Sequence, residues 1–151
     1  MSSLNRTALR ATVHCLTGCS IGEVMGMVLG TWLAWTNGVT VLVSILLAFI
    51  FGYSLTMWPL LSSGLSLPAS AKLALASDTA SISVMELVDN LTMVVVPGAM
   101  ASSILSGMFW ISLLLSLVLA GIAAYPLNRW LISRGRGHAV VHEHHAADHH
   151  A

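Results

Sequence analysis

The sequence has 151 residues, of which 56% are hydrophobic and only 8% charged, and its mean hydropathy is +0.85. Soluble domains carry about 25% charged residues, so a soluble globular fold is not competitive. A formal net charge of zero, with no basic stripe or basic tail, argues against a nucleic-acid partner. What remains is one domain whose main partner is the lipid bilayer.

Taken in chain order, residues 1–8 read as a short cytoplasmic N-terminus, 9–132 as a membrane domain and 133–151 as a cytoplasmic tail. Arg6 and Arg10 mimic the start of a signal peptide. The apolar stretch behind them is interrupted by His14, Cys15, Cys19, Ser20 and Glu23, is too long for such a peptide's apolar core and lacks a good cleavage site. We therefore expect it to stay in the mature protein. A spanning helix needs about 20 mostly apolar residues, and four segments reach that length: Leu9–Ala34, Val39–Leu61, Leu73–Val96 and Met108–Ile132. Thr36-Asn37-Gly38, the stretch Ser62 to Ser70 with Ser63-Gly64 and Pro68, and Pro97-Gly98 supply the turns between them. The expected fold is all-α, a polytopic membrane protein with four transmembrane helices in an up-down bundle, which satisfies every backbone polar group within helices. The first span is the most polar, and a re-entrant segment is its alternative.

The basic residues provide an independent check. Arg6, Arg10, Lys72, Arg129, Arg134 and Arg136 all fall on one side of such a bundle, and the first and third connections carry neither Lys nor Arg. The positive-inside rule then places both termini in the cytoplasm. Trp32, Trp35, Trp58, Trp110 and Trp130 lie near span ends, where amphipathic rings prefer the headgroup level.

Gly18, Gly22, Gly26 and Gly30 recur every four residues on the first span. In lipid, helices associate through close packing, so this seam is expected to meet another helix of the same subunit or, alternatively, a homo-oligomer partner. Cys15, Cys19 and Glu23 share a face at the same interval, with His14 at its edge. Cysteines four apart on a helix are poorly placed to bridge, so two free thiols are expected.

The third span carries Asp78, Glu86, Asp89 and Asn90. At a rise of about 1.5 Å per residue, Glu23 and Glu86 fall at matching depth near the membrane middle, while His14 and Asp78 share the cytoplasmic half. No Lys or Arg lies at these depths. An ionised carboxylate there costs several kcal/mol, by roughly the 2.5–3.5 assigned to an aspartate, unless it is held protonated, faces a water path or binds a cation. Two acids sharing one site also resist ionising together.

Two chemistries fit. His14, Cys15, Cys19 and Glu23 with Asp78 or Glu86 would form a mixed thiol, imidazole and carboxylate site suited to copper or zinc, and the protein would bind or transport that metal. Alternatively Glu23, Glu86, Asp89 and Asn90, bridged by water, would relay protons or another ion. The second and fourth spans add little, mainly Ser44, Tyr53, Ser54, Thr56, Ser112 and Ser116, so a pore through one subunit looks thin. A third reading is a structural or assembly subunit with a small membrane-protein partner. No hydrolytic, phosphate-loop or dinucleotide motif occurs, so an enzyme is not indicated. The tail residues His142, His144, His145, His149 and His150 could capture a metal loosely in the cytoplasm.

Several residue pairs resemble a known pattern: His14-Cys15, Gly18-Cys19, Gly22-Glu23, Met85-Glu86, Asp89-Asn90, Pro97-Gly98-Ala99-Met100, Phe109-Trp110, and Tyr125-Pro126 through Trp130 to Arg134-Gly135-Arg136-Gly137-His138. They resemble a bacterial integral-membrane family known only as domain of unknown function 4396. That resemblance implies a membrane protein and assigns no role to any residue.

Overall fold

The structure, a computed structural model, describes residues 2–99 and 102–134. It contains four helices in chain order: α1 (Ser3–Trp32), α2 (Asn37–Ser62), α3 (Leu67–Val95) and α4 (Gly107–Ser133). Three of them start at a hydroxyl cap: Ser2, Thr36 and Ser106 accept the amide hydrogens of Asn5, Val39 and Phe109, which satisfies donors that a helix start leaves open.

The second connection is tighter than the turn residues suggest, and the first is displaced toward the N-terminus. Asn37 and Gly38 already belong to α2, and the reversal is made by 33–36, with Ala34 at φ 51°. Pro68 likewise lies in the first turn of α3 rather than in a loop. Its missing N–H would be unpaired there anyway, and its fixed φ suits a helix start. Gly64 and Gly98 take φ of +92° and +82° where the chain leaves α2 and α3, a region open to glycine at little cost.

Each helix packs on its sequence neighbours, α1 also packs on α4, and α1 meets α3 across the centre, whereas α2 and α4 stay largely apart. Arg129 Nε donates to Asn5 Oδ1 at 2.9 Å, so the start of α1 and the end of α4 lie side by side at the basic end of the bundle. There the Arg134 guanidinium also stands 4.9 Å from the centre of the Trp130 ring.

Polarity is reversed relative to a soluble bundle. Leu42, Leu46, Ile50, Ile111, Leu114 and Ile122 are exposed, while Glu23, Asp78, Glu86, Asp89 and Asn128 are buried. By length and composition α1, α2 and α4 can each cross a membrane, and the protein is a multi-pass helical membrane protein. α3 has the length but carries Lys72, Asp78, Glu86 and Asp89.

The glycine seam of α1 lies against α2. Gly18 faces Gly52, Gly22 faces Ala48, Gly26 faces Ser44 and Gly30 faces Thr40. A Cβ at Gly22 would stand 2.6 Å from the Leu47 carbonyl carbon, so only glycine allows this backbone approach. Small residues at intervals of four recur on the partner helices: Thr40, Ser44, Ala48, Gly52 and Thr56 on α2, and Ser112, Ser116, Ala120, Ala124 and Asn128 on α4. Without a hydrophobic drive inside lipid, this close packing is what holds the helices together.

We expect Gly22→Val to push α1 from α2 and cost at least the 1–3 kcal/mol typical of overpacking, read as a lower melting temperature in detergent. Gly38→Ala, where an added Cβ meets nothing within 4 Å, should leave that temperature within a degree or two of the parent, about the shift of a few tenths of a kcal/mol.

Candidate functional site: a buried polar column

The diagonal contact between α1 and α3 brings their polar faces together, and α2 and α4 close the sides. Because α1 and α3 run in the same direction, their side chains pair in successive tiers along the bundle axis.

The tier farthest from the basic end joins Glu23 to Asp89. Both are buried, with 2% and 3% of their surface exposed. Ser116 of α4 donates its hydroxyl hydrogen to Asp89 Oδ1, and Glu23 Oε2 has no hydrogen-bond partner among the described residues. The next tier sets Glu86, 5% exposed, beside Cys19 and in electrostatic contact with Asp89. Neither Glu86 oxygen has a hydrogen bond of normal geometry among the described residues. Asn90 is half-buried and donates its side-chain amide to the Glu86 carbonyl at 2.8 Å.

Below this, Cys15 lies beside Ser81 and Asp78. Asn128 reaches in from α4 and donates to Thr12 Oγ1 and Ser81 Oγ, both at 3.0 Å. The last tier holds Asp78, which accepts from Ser77 Oγ at 2.6 Å and contacts Thr56. Thr56 Oγ1 is in turn 2.8 Å from His14 Nε2. Both cysteines are buried and free.

At its other end the column opens into a cavity of about 160 Å³. Glu23 and Asp89 line it together with Ser44, Thr40, Trp35 and Phe109. Asn37 from the start of α2, and Ser102 and Ile104 from the connection before α4, lie at its rim, so it faces the side of the bundle opposite the basic end.

The structure thus distributes the residues that sequence reasoning grouped as ligands. Cys15 with Asp78, Cys19 with Glu86, and Glu23 with Asp89 occupy three levels, and His14 contacts the column through Thr56. Among the described residues no group of three or more His, Cys, Asp or Glu side chains converges to hold a metal ion. His142, His144, His145, His149 and His150 lie outside the described residues.

Sequence reasoning passed over Asn128, Thr12 and Ser77 as site members, and read Ser44, Thr56 and Ser116 as too few to matter. Their signal was positional. Each of the latter three sits in a four-residue series of small side chains on an otherwise leucine-rich helix, and Asn128 ends one such series.

Removing a buried partner leaves its neighbours' polar atoms unsatisfied at about 1–3 kcal/mol. Asn128→Leu strips a donor from both Thr12 and Ser81, and we expect it to lower unfolding stability in detergent by that amount. Asn128→Leu combined with Thr12→Val and Ser81→Ala should recover part of the loss.

A family model described as Domain of unknown function (DUF4396) matches residues 4–137. No curated protein and no solved structure matches the chain. The match spans all four helices and every tier of the column, and the chain belongs to this family.

Proposed function

We propose that the protein spans the membrane four times and that its polar column carries a cation, in the simplest case a proton, between the cavity and the basic end. The observation that carries this reading is the cavity that ends on two buried carboxyl groups, Glu23 and Asp89, with Glu86, Cys19, Ser81, Asp78, Thr56 and His14 continuing behind them. Buried acids are costly in lipid and mark ion or proton pathways.

The fourth crossing is supported by how α3 divides its residues. Its acids all turn inward, whereas Leu75, Leu87, Leu91, Val94 and Val95 are exposed. A surface of that kind suits acyl chains even though the composition of the whole helix is mixed. The basic residues of α1, the α2–α3 side and α4 gather at one end, which supports a cytoplasmic placement of both termini.

In this reading protons enter from the outer cavity, bind the Glu23–Asp89 pair, pass to Glu86 and then follow the hydroxyl and thiol groups toward Asp78 and His14. A carboxyl exchanges protons with a neighbour or a bridging water at hydrogen-bond distance. Glu86, set beside Cys19 and in electrostatic contact with Asp89, is the group best placed to accept and release.

A second reading keeps the path and changes the ion. Cys19 beside Glu86 and Cys15 beside Asp78 give thiol and carboxylate pairs at consecutive levels. Such pairs suit stepwise passage of copper or zinc, with waters completing the coordination.

Both readings are separated by flux in proteoliposomes. For a proton path, Glu23→Gln and Glu86→Gln should each cut proton flux at least tenfold, while Cys15→Ser with Cys19→Ser leaves most of it. For a metal path the cysteine changes should abolish metal uptake. Equal proton and metal flux in all variants would remove the column from any transport role. Sidedness has its own check: a cysteine introduced at Asn37 in a cysteine-free background should react with a membrane-impermeant maleimide from outside intact cells.

A further inference from the structure

The register of α1 against α3 brings sulfur together near the middle of the bundle. Cys15 meets Ser81, and Glu23 meets Asp89. Midway between these two contacts stand Cys19 on α1 and Met85 on α3, each four residues from both neighbours on its own helix. The helices run in the same direction with the same rise, so Met85 falls level with Cys19 and one turn from Cys15. All three are buried, with exposures of 0% for Cys15, 2% for Cys19 and 1% for Met85, and they pack in one cluster. Cys15 and Cys19 are also in electrostatic contact.

The make-up of that cluster points away from plain packing. Its other members are Ala48, Ala120, Ala124 and Ile82, so a single branched aliphatic stands among alanines and sulfur side chains, while Leu, Ile and Val crowd the outer surface. A disulfide does not account for it either. Side chains four apart on a helix have Cβ atoms about 5–6 Å apart, and a disulfide needs about 3.8 Å. Nucleophilic and redox thiols sit beside cationic groups or at a helix N-terminus. These lie mid-helix, with Asp78 and Glu86 as their charged neighbours. A cation held between the sulfurs fits all of these facts.

Ligand type decides which cation. Thiolate and thioether together select soft ions such as Cu(I), whereas zinc takes four nitrogen, sulfur or oxygen ligands. Among the described residues no third His, Cys, Asp or Glu converges with the two cysteines, and Met85 offers a donor that suits a soft ion. We infer that Cys15, Cys19 and Met85 form a three-sulfur binding site for Cu(I). When the ion binds, two S–H bonds break and two S–Cu bonds form. Both protons leave to solvent, and the Met85 thioether adds as a neutral donor with no change in oxidation state. This deepens the metal reading above by naming the ion and its ligands, and it rests on that reading only for what happens after binding.

The site is tested by titrating Cu(I) anaerobically into the full chain in lipid nanodiscs against bathocuproine disulfonate, a chelator whose colour reports the copper it holds. We expect a single ion to be withdrawn per chain, with an X-ray absorption shell of sulfur alone and no displacement by excess Zn(II). Cys15→Ser with Cys19→Ser should abolish the withdrawal. Met85→Leu keeps side-chain volume and removes only the thioether. It should therefore hold its melting temperature and still bind about tenfold or more weakly, an effect that even outer-shell changes have on metal affinity. That variant reports even where the cysteine changes disturb folding. No copper withdrawn from the chelator, a nitrogen or oxygen shell around it, or unchanged affinity in Met85→Leu would overturn the three-sulfur site. Flux in proteoliposomes made from the same protein separates the two ideas. Copper held without flux of protons or metal defeats the transport reading alone, and flux without copper held defeats this inference alone.

Discussion

Lipid offers a carboxyl group neither a hydrogen-bond donor nor a counter-ion, so four acids on two long helices have only the bundle interior to occupy. That constraint organises the rest of the molecule. α1 and α3, which carry Glu23, Asp78, Glu86 and Asp89, meet across the centre, and the leucine-rich α2 and α4 stand at the flanks. The outward surface is left to Leu, Ile and Val, and the interior is polar along much of its length.

Such an interior can form only if the backbones come close enough to exclude lipid from it. The glycines of α1 and the small residues of α2 meet that condition. The helices are held by close packing and by hydrogen bonds from one helix to another: Asn128 to Thr12 and Ser81, Ser116 to Asp89, and Thr56 with His14. Packing and polarity are therefore one arrangement. A bulky residue in the seam would open the interior, and a leucine in place of Asn128 would strip a donor from Thr12 and from Ser81.

The interior is uneven in a way that bears on chemistry. Toward the basic end the polar groups are largely satisfied by one another, as with Ser77 and Asp78 or Asn128 and its two hydroxyls. Nearer the cavity, Glu23 Oε2, Ser44 Oγ and both Glu86 oxygens make no hydrogen bond of normal geometry among the described residues, and at the basic end Ser70 Oγ makes none either. Native proteins keep few such atoms, and where they cluster beside a cavity a ligand or water is the natural complement.

Much of the architecture was legible in the sequence. Hydropathy marked four long segments, and the observed helices follow them apart from extensions at their starts: α1 begins at Ser3 rather than Leu9, and Thr36 and Pro68 start α2 and α3 earlier than turn chemistry implies. Matching the depth of Glu23 and Glu86 by counting residues placed the acids of α1 and α3 at nearby levels, because the rise per residue of a helix is fixed. Local sequence could not say which side chains share a tier. That depends on helix rotation and on which helices are neighbours, and both are set by packing over the whole bundle. Spacing along one helix therefore grouped His14, Cys15, Cys19 and Glu23 as one ligand set, and the diagonal meeting of α1 with α3 gave each level a different partner. The periodicity of single helices determined what had to be buried, and only their assembly decided what each buried group would face.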